Sequence, residues 1–206
     1  MSAMSRERTI SRRRFLAAGA GALAVPCIST WGIASPGRTA ASDRIAMASI
    51  GVGGMGATHL GGLVQFRKEG KVSIAAVCDA DEGRLRAATA IAREGAVPYR
   101  DYRYILDRKD IDAVVIATPD HWHAIPAVEA CKAGKDAYVE KPLGHDVREG
   151  RLVADAAKEH GRVVAIGTQQ RSGPHWIEAV RRIRAGEIGK VTFIHAWNAW
   201  GPGEMG

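Results

Sequence analysis

At 206 residues the chain is long enough for one domain of ordinary size, or for one and part of another. Its composition, 46% hydrophobic and 25% charged, is that of a soluble globular protein, with no low-complexity tract and no internal repeat. The formal charge of +7 invites a nucleic-acid reading, but +5 of it lies in residues 1–41, and the remaining +2 leaves no basic footprint for nucleic acid.

Those first 41 residues form a segment of their own. Ser11-Arg12-Arg13-Arg14-Phe15-Leu16 opens onto a weakly apolar stretch, Ala17 to Ile28, followed by small residues through Ala41. A basic region, a short apolar core and a small-residue exit read as a secretory signal peptide, and the paired arginines specify the twin-arginine route. The apolar core is short of the about 20 residues that a membrane-spanning helix needs. A basic tail and an uncleaved anchor are the plainer alternatives. Cleavage suits Ala34 and Ala41 equally, and Pro26 ahead of Cys27 argues against a lipid-attachment site. Export by the twin-arginine machinery implies a periplasmic or extracellular protein, and that route carries folded proteins, commonly with a cofactor already loaded. Beyond the leader, Cys78 and Cys131 are too few for a disulfide framework and read as small buried hydrophobes.

Residues 42–170 alternate apolar runs and helical patterns with short connections, which predicts a doubly wound α/β domain around a parallel sheet. The expected strands are Ile45–Ile50, Val72–Cys78, Val97–Tyr99, Ala113–Ala117, Asp136–Glu140 and Val163–Gly167. Ala113-Val114-Val115-Ile116-Ala117 has the continuous apolar character of a strand covered on both faces. Helices are expected over Ala57–Phe66, Glu82–Glu94, Tyr102–Arg108, Trp122–Ala133 and Asp146–His160. Residues 171–206 then read as the beginning of a truncated second α/β domain: a helix from His175 to Ala185 and a strand from Lys190 to Trp197 belonging to another sheet. A lone strand makes no stable sheet, so further strands are expected beside it.

The first strand runs into Gly51-Val52-Gly53-Gly54-Met55-Gly56, which fits the pattern G-x-G-x-x-G at Gly51, Gly53 and Gly56. The first glycine permits a tight strand-to-helix turn, the second lets backbone approach a pyrophosphate, and the third lets helix and strand pack closely. Amides at the helix start then face the phosphates. Asp79 ends the second strand, roughly 20–30 residues past the first glycine, where an acid can bond a ribose diol. A plain glycine turn would explain the glycines alone; strand, turn, helix, strand and acid in that order favour dinucleotide binding. A carboxylate at Asp79 repels a 2′-phosphate, so NAD is expected over NADP, with Arg84 and Arg86 close enough in sequence to soften the preference.

Ligands of open α/β sheets sit at the carboxyl ends of the strands. Those ends carry Thr118-Pro119-Asp120-His121-Trp122-His123, Glu140-Lys141-Pro142 and Thr168-Gln169-Gln170-Arg171. With these motifs, residues from about Arg44 to Trp200 resemble the Gfo/Idh/MocA oxidoreductases, the family of glucose–fructose oxidoreductase and inositol dehydrogenase. The family's glycine turn falls on Gly51, Gly53 and Gly56, its second-strand acid on Asp79, its T-P-x-x-x-H on Thr118, Pro119 and His123, and its E-K-P on Glu140, Lys141 and Pro142.

The resemblance implies an NAD-dependent oxidoreductase acting on a sugar or polyol-like substrate, and a cofactor site drawn from Gly51, Gly53, Gly54, Met55, Gly56, Asp79, Thr118, Pro119, His121, His123, Glu140, Lys141 and Gln169. It gives Lys141 the catalytic part, moving the proton that accompanies hydride transfer, or at least positioning substrate. Without the resemblance, a lysine paired to Glu140 on a solvated loop is the simpler reading. His121 and His123 are two residues apart, a spacing that does not put both on one helical face, so no metal site is assigned. Trp122 reads as packing, and Arg171 is evenly balanced between a ligand donor and a surface charge. The family continues into a second domain that covers the nicotinamide. Two rival functions stay open: a glycoside hydrolase working by transient oxidation on bound NAD, and a dinucleotide-binding remnant without catalysis. Homo-oligomerisation is left open too.

Overall fold

The structure is a computed structural model and describes residues 44–93 and 95–197. The expected leader and Cys27 lie outside the described residues. Six parallel strands form one sheet: β1 Ile45–Ile50, β2 Val72–Cys78, β3 Val97–Tyr99, β4 Ala113–Ile116, β5 Asp136–Glu140 and β6 Val164–Gly167. Their order is β3-β2-β1-β4-β5-β6, so the winding reverses between β1 and β4. Helices α1 Gly54–Lys68, α2 Glu82–Ala92, α3 Arg103–Asp107, α4 Ala124–Lys132 and α5 Val147–Glu159 connect them, and α6 Pro174–Arg184 follows β6. This is the doubly wound dinucleotide-binding arrangement expected of the sequence.

Alternation along the strands divides the core into two layers. Ala48, Ile50, Ala76, Val114, Ile116, Ala137 and Val139 turn to one face, where α4 lays Ala124, Ala127 and Ala130 against them. Val77 and Val115 turn to the other, under Leu60 and Leu63 of α1 and Leu85 and Ala88 of α2. Small alanines on α4 let that helix sit close to the sheet. Register then levels the strand ends: Ile50 pairs with Cys78 and Ile116, Ile116 with Val139, and Glu140 with Gly167. Every loop that leaves the carboxyl edge therefore starts at nearly one height, which is what gathers distant motifs into a single site.

Three boundaries depart from expectation for local reasons. Helix α1 begins at Gly54, inside the glycine cluster, so the cluster itself forms the first turn. The helix expected over Trp122–Ala133 divides into a short 3-10 turn, Asp120–Trp122, and α4. Pro126 lies in the first turn of α4, the one place where a missing backbone N–H costs no helical hydrogen bond. The strand expected over Lys190–Trp197 is not formed, and no strand ladder reaches those residues among the described ones. An extended segment becomes a strand only against a sheet edge, and both sides of this one, Val191 and Phe193 as well as Ile194, stay exposed. Helix α6 is strongly two-faced, yet none of its residues is buried.

At the opposite, amino edge of the sheet, Lys135 is buried just before β5. Its ammonium donates to the carbonyls of Arg108 (2.5 Å) and Ile111 (3.0 Å), tying the loop before β4 to the start of β5. Burial, reinforced by Lys109, holds its pKa below the usual lysine value. Lys135→Ala leaves two inward carbonyls without a donor and is expected to lower stability by about 1–3 kcal/mol in urea melts. Ligand binding at the carboxyl edge should be unchanged by that substitution.

Candidate functional site

A cleft of about 1010 Å³ opens along the carboxyl edge, between the turns that leave β1, β2, β4 and β5. Its floor is the glycine turn. Gly51 has φ +78°, and its N–H donates to the Cys78 carbonyl at 2.8 Å. A Cβ on Gly51 would stand 2.6 Å from the Thr118 nitrogen, and a Cβ on Gly56 only 2.0 Å from the Gly51 carbonyl oxygen. Both overlaps are with backbone, so neither can be relieved by turning a side chain. Gly54 and Met55 begin α1, and among the described residues no side chain caps that helix start. The amides of Gly54 and Met55 are thus left to meet an anion, while that of Gly56 donates to the Gly53 carbonyl at 2.7 Å. The side chain of Arg84 lies over Gly53, 3.0 Å from where a Cβ would be.

Asp79 stands at the end of β2. One carboxylate oxygen accepts from the Val52 N–H (3.0 Å) and the other from the Asp81 N–H (2.9 Å). Two amides fix the group and still leave lone pairs for a diol. Beside it, Cys78 also lines the cleft, its thiol pushed up to about 12 by burial, then by Asp79 and Asp101. It is a protonated wall residue.

The other end of the cleft is organised by Glu140, the last residue of β5, only 5% exposed. Its Oε1 accepts from His59 Nε2 at 2.6 Å and from the Gln169 amide, and its Oε2 accepts from the Lys141 N–H at 3.1 Å. Burial pushes the carboxyl up, but His59, the Lys141 amide and Gln169 more than offset this, and its pKa ends below the usual value. His59 rests edge-on against the Tyr138 ring at 5.2 Å. Across the next loop the buried His123 has Nδ1 2.5 Å from the Pro142 carbonyl and Nε2 2.7 Å from the Thr118 carbonyl. Both ring nitrogens are taken up by these loops. Lys141, between Glu140 and Pro142, lines the cleft, and its ammonium has no carboxylate partner among the described residues.

Residues 45–168 match the GFO_IDH_MocA family model, described as an oxidoreductase family with an NAD-binding Rossmann fold. The chain belongs to this family. Inositol 2-dehydrogenase 1 of Saccharopolyspora erythraea is 35% identical over 151 residues, covering 71% of this chain and 43% of that protein. A glycosyl hydrolase family 109 protein of a Shewanella species is 32% identical over 166 residues, covering 74% and 36%. The crystal structure of myo-inositol 2-dehydrogenase from Lactobacillus plantarum superposes with a TM-score of 0.65 at 30% identity, over 72% of this chain and 43% of that one. The chain thus spans less than half the length of these relatives.

The family's NAD-binding Rossmann domain has here the close glycine turn that a dinucleotide requires: Gly51 and Gly56 pack backbone on backbone with no space for a Cβ, and Gly51, Gly53 and Gly54 border the cleft. Gly51, Gly53, Gly54, Met55, Asp79, Thr118, Pro119, His121, His123, Glu140 and Lys141 all border the cleft. Gly56 acts from beneath, by its contact with Gly51, and Gln169 acts through Glu140. The pairing of Glu140 with Lys141 is by backbone N–H, and the other oxygen of Glu140 is bonded by His59 and Gln169 instead.

His59 was not marked by any local pattern. It lies 81 residues from Glu140, and only the crossing of α1 over the sheet brings the two together. Gly56 and His59, three residues apart on a helix, share a face, and that spacing was the one available signal.

The lowered Glu140 pKa predicts a pH dependence. In the window below about 4.5 the unfolded chain binds a proton that the folded chain does not, so stability rises with pH there. The contribution is present above the unfolded value and is lost as pH falls through the folded one. Glu140→Gln is expected to flatten the acid limb of a stability–pH curve measured by thermal melting.

Proposed function

We propose that this chain supplies the cofactor-binding portion of an exported, NAD-dependent oxidoreductase that acts on a sugar or polyol. The observation that carries it is one cleft holding a glycine turn, an acid at the end of β2 and a lysine with no carboxylate partner among the described residues. Gly51, Gly53 and the start of α1 would take the pyrophosphate, Asp79 the adenosine ribose, and the Thr118-Pro119 and Lys141-Pro142 loops the nicotinamide end. When bound, the nicotinamide accepts or gives the hydride. Lys141 then moves a proton to or from the reacting hydroxyl through its Nζ, and Glu140 holds the main chain from which that side chain springs. The inositol 2-dehydrogenase match supports a polyol substrate, and the relatives' additional length is where a substrate-holding wall fits.

The cofactor reading is tested by titrating the purified chain with NADH and NADPH. NADH is expected to bind at least about tenfold more tightly, because a 2′-phosphate meets the Asp79 carboxylate, and Asp79→Ala should narrow the gap. Tighter binding of NADPH would overturn the assignment. Where turnover can be followed, Lys141→Met should slow it by about 10²–10⁴ and leave NADH affinity nearly unchanged. Export rests on Arg12 and Arg13 ahead of the apolar stretch; replacing both by lysine should hold the protein in the cytoplasm, read by cell fractionation.

A second reading is favoured by the match to a glycosyl hydrolase family 109 protein. On that reading the sugar would be oxidised transiently, the glycosidic oxygen would leave by elimination with loss of a neighbouring proton, water would add where it left, and the hydride would return. An aglycone released with no net change in free NADH would select it.

A further inference from the structure

We propose that Lys141 is aimed by a two-histidine clamp, His59 gripping its amino side through Glu140 and His123 its carboxyl side through Pro142. The inference rests on the reading of Lys141 as the residue that faces the nicotinamide.

The geometry is specific to the lysine. The Lys141 N–H is bonded to Glu140 Oε2 at 3.1 Å, and the other oxygen of that carboxylate is bonded to His59 Nε2 at 2.6 Å. On the far side, the Pro142 carbonyl faces His123 Nδ1 at 2.5 Å. The main chain is therefore held on both flanks of a residue whose own ammonium has no carboxylate partner among the described residues. A proton-transferring lysine needs that combination: a fixed stem, and a side chain that is not already committed to an ion pair.

The two histidines draw on different elements. His59 is carried by α1, whose start forms the glycine cradle, and His123 stands just ahead of α4, beside the Thr118-Pro119 loop. His123 Nε2 lies 2.7 Å from the Thr118 carbonyl, so one ring joins the loops after β4 and β5. Carbonyls only accept, so the ring donates from whichever nitrogen carries a proton, and from both as imidazolium. His59 could simply neutralise a buried carboxylate, and His123 could simply fill the core. Neither purpose requires that both rings end on the two residues adjoining one lysine. His59 and His123 are thus positioning residues.

The test uses the full chain with His59→Leu, His123→Leu and the conservative His59→Gln, whose amide nitrogen can stand in for Nε2. Two readouts are taken: amide hydrogen exchange over residues 140–143, and affinity for NADH against ADP-ribose, which lacks the nicotinamide. Each leucine variant is expected to speed exchange in that segment by about tenfold and to weaken NADH about tenfold, the scale of one charge-assisted hydrogen bond. ADP-ribose affinity should change by less than about twofold, and His59→Gln should restore both readouts. Equal losses of NADH and ADP-ribose would mean a general collapse of the sheet edge and overturn the clamp, as would unchanged exchange in both leucine variants. Should the wild-type chain bind neither ligand, the dinucleotide reading falls, and the exchange readout alone decides the clamp. If His123→Leu does not fold, the His59 pair decides it.

Discussion

The turn after β1 brings backbone so close to backbone that two positions cannot carry a side chain. At Gly51 a Cβ would overlap the start of Thr118, and at Gly56 it would overlap the Gly51 carbonyl itself. This contact decides the tilt of α1 against the sheet, and with it the helix face that turns inward. Gly56, Leu60 and Leu63 are the buried residues of that helix. His59 shares their side of the cylinder and so arrives over the end of β5. The same close approach lowers the glycine turn toward the strand ends, which leaves the start of α1 open to the cleft. The anion-directed amides and the histidine that meets Glu140 are thus two consequences of one steric constraint.

Glu140 is the second constraint. A carboxylate that is 5% exposed is costly unless its charge is met and its oxygens are bonded. Here three donors do this: the His59 imidazole from α1, the N–H of the following residue and the Gln169 amide from the turn after β6. The space for it depends on Gly167, its register partner on β6, where a Cβ would come within 2.8 Å of Oε1. Small residues at strand ends thus make room for different neighbours at the two ends of the cleft. At Gly51 the absent side chain admits the backbone that leaves β4, and at Gly167 it admits a carboxylate.

The strands were legible because each signal is local. Val114-Val115-Ile116 is apolar on both sides, as a central strand must be, and the runs Ile45–Ile50, Val72–Cys78 and Asp136–Glu140 end where side chains change from packing to chemistry. The strand-end residues that border the cleft were legible for the same reason. His59 was not, since its meaning comes from a partner 81 residues away. Nor was the outcome at Lys190–Trp197. Its composition suits a strand, but strand formation is a property of a pair of segments, and no partner edge is present among the described residues. Export, read from residues 1–41, lies outside what the structure describes.

The cleft divides by how its two ends are held. The end around Gly51 and Asp79 is fixed by backbone: glycine contacts, the Gly51–Cys78 bond and two amides on one carboxylate. Geometry of that kind hardly changes with protonation of a single group. At the Lys141 end, by contrast, the loops are held by side chains, Glu140 with His59 and Gln169, and His123 with two carbonyls. Order there depends on a buried carboxylate staying charged and on imidazoles donating from the right nitrogen. A dinucleotide bound across both would be anchored by the rigid end and have its reactive end adjusted by the polar one. That arrangement assigns affinity chiefly to the glycine turn and Asp79. It assigns orientation of the reacting groups to Glu140 and its partners, where sub-ångström placement matters most.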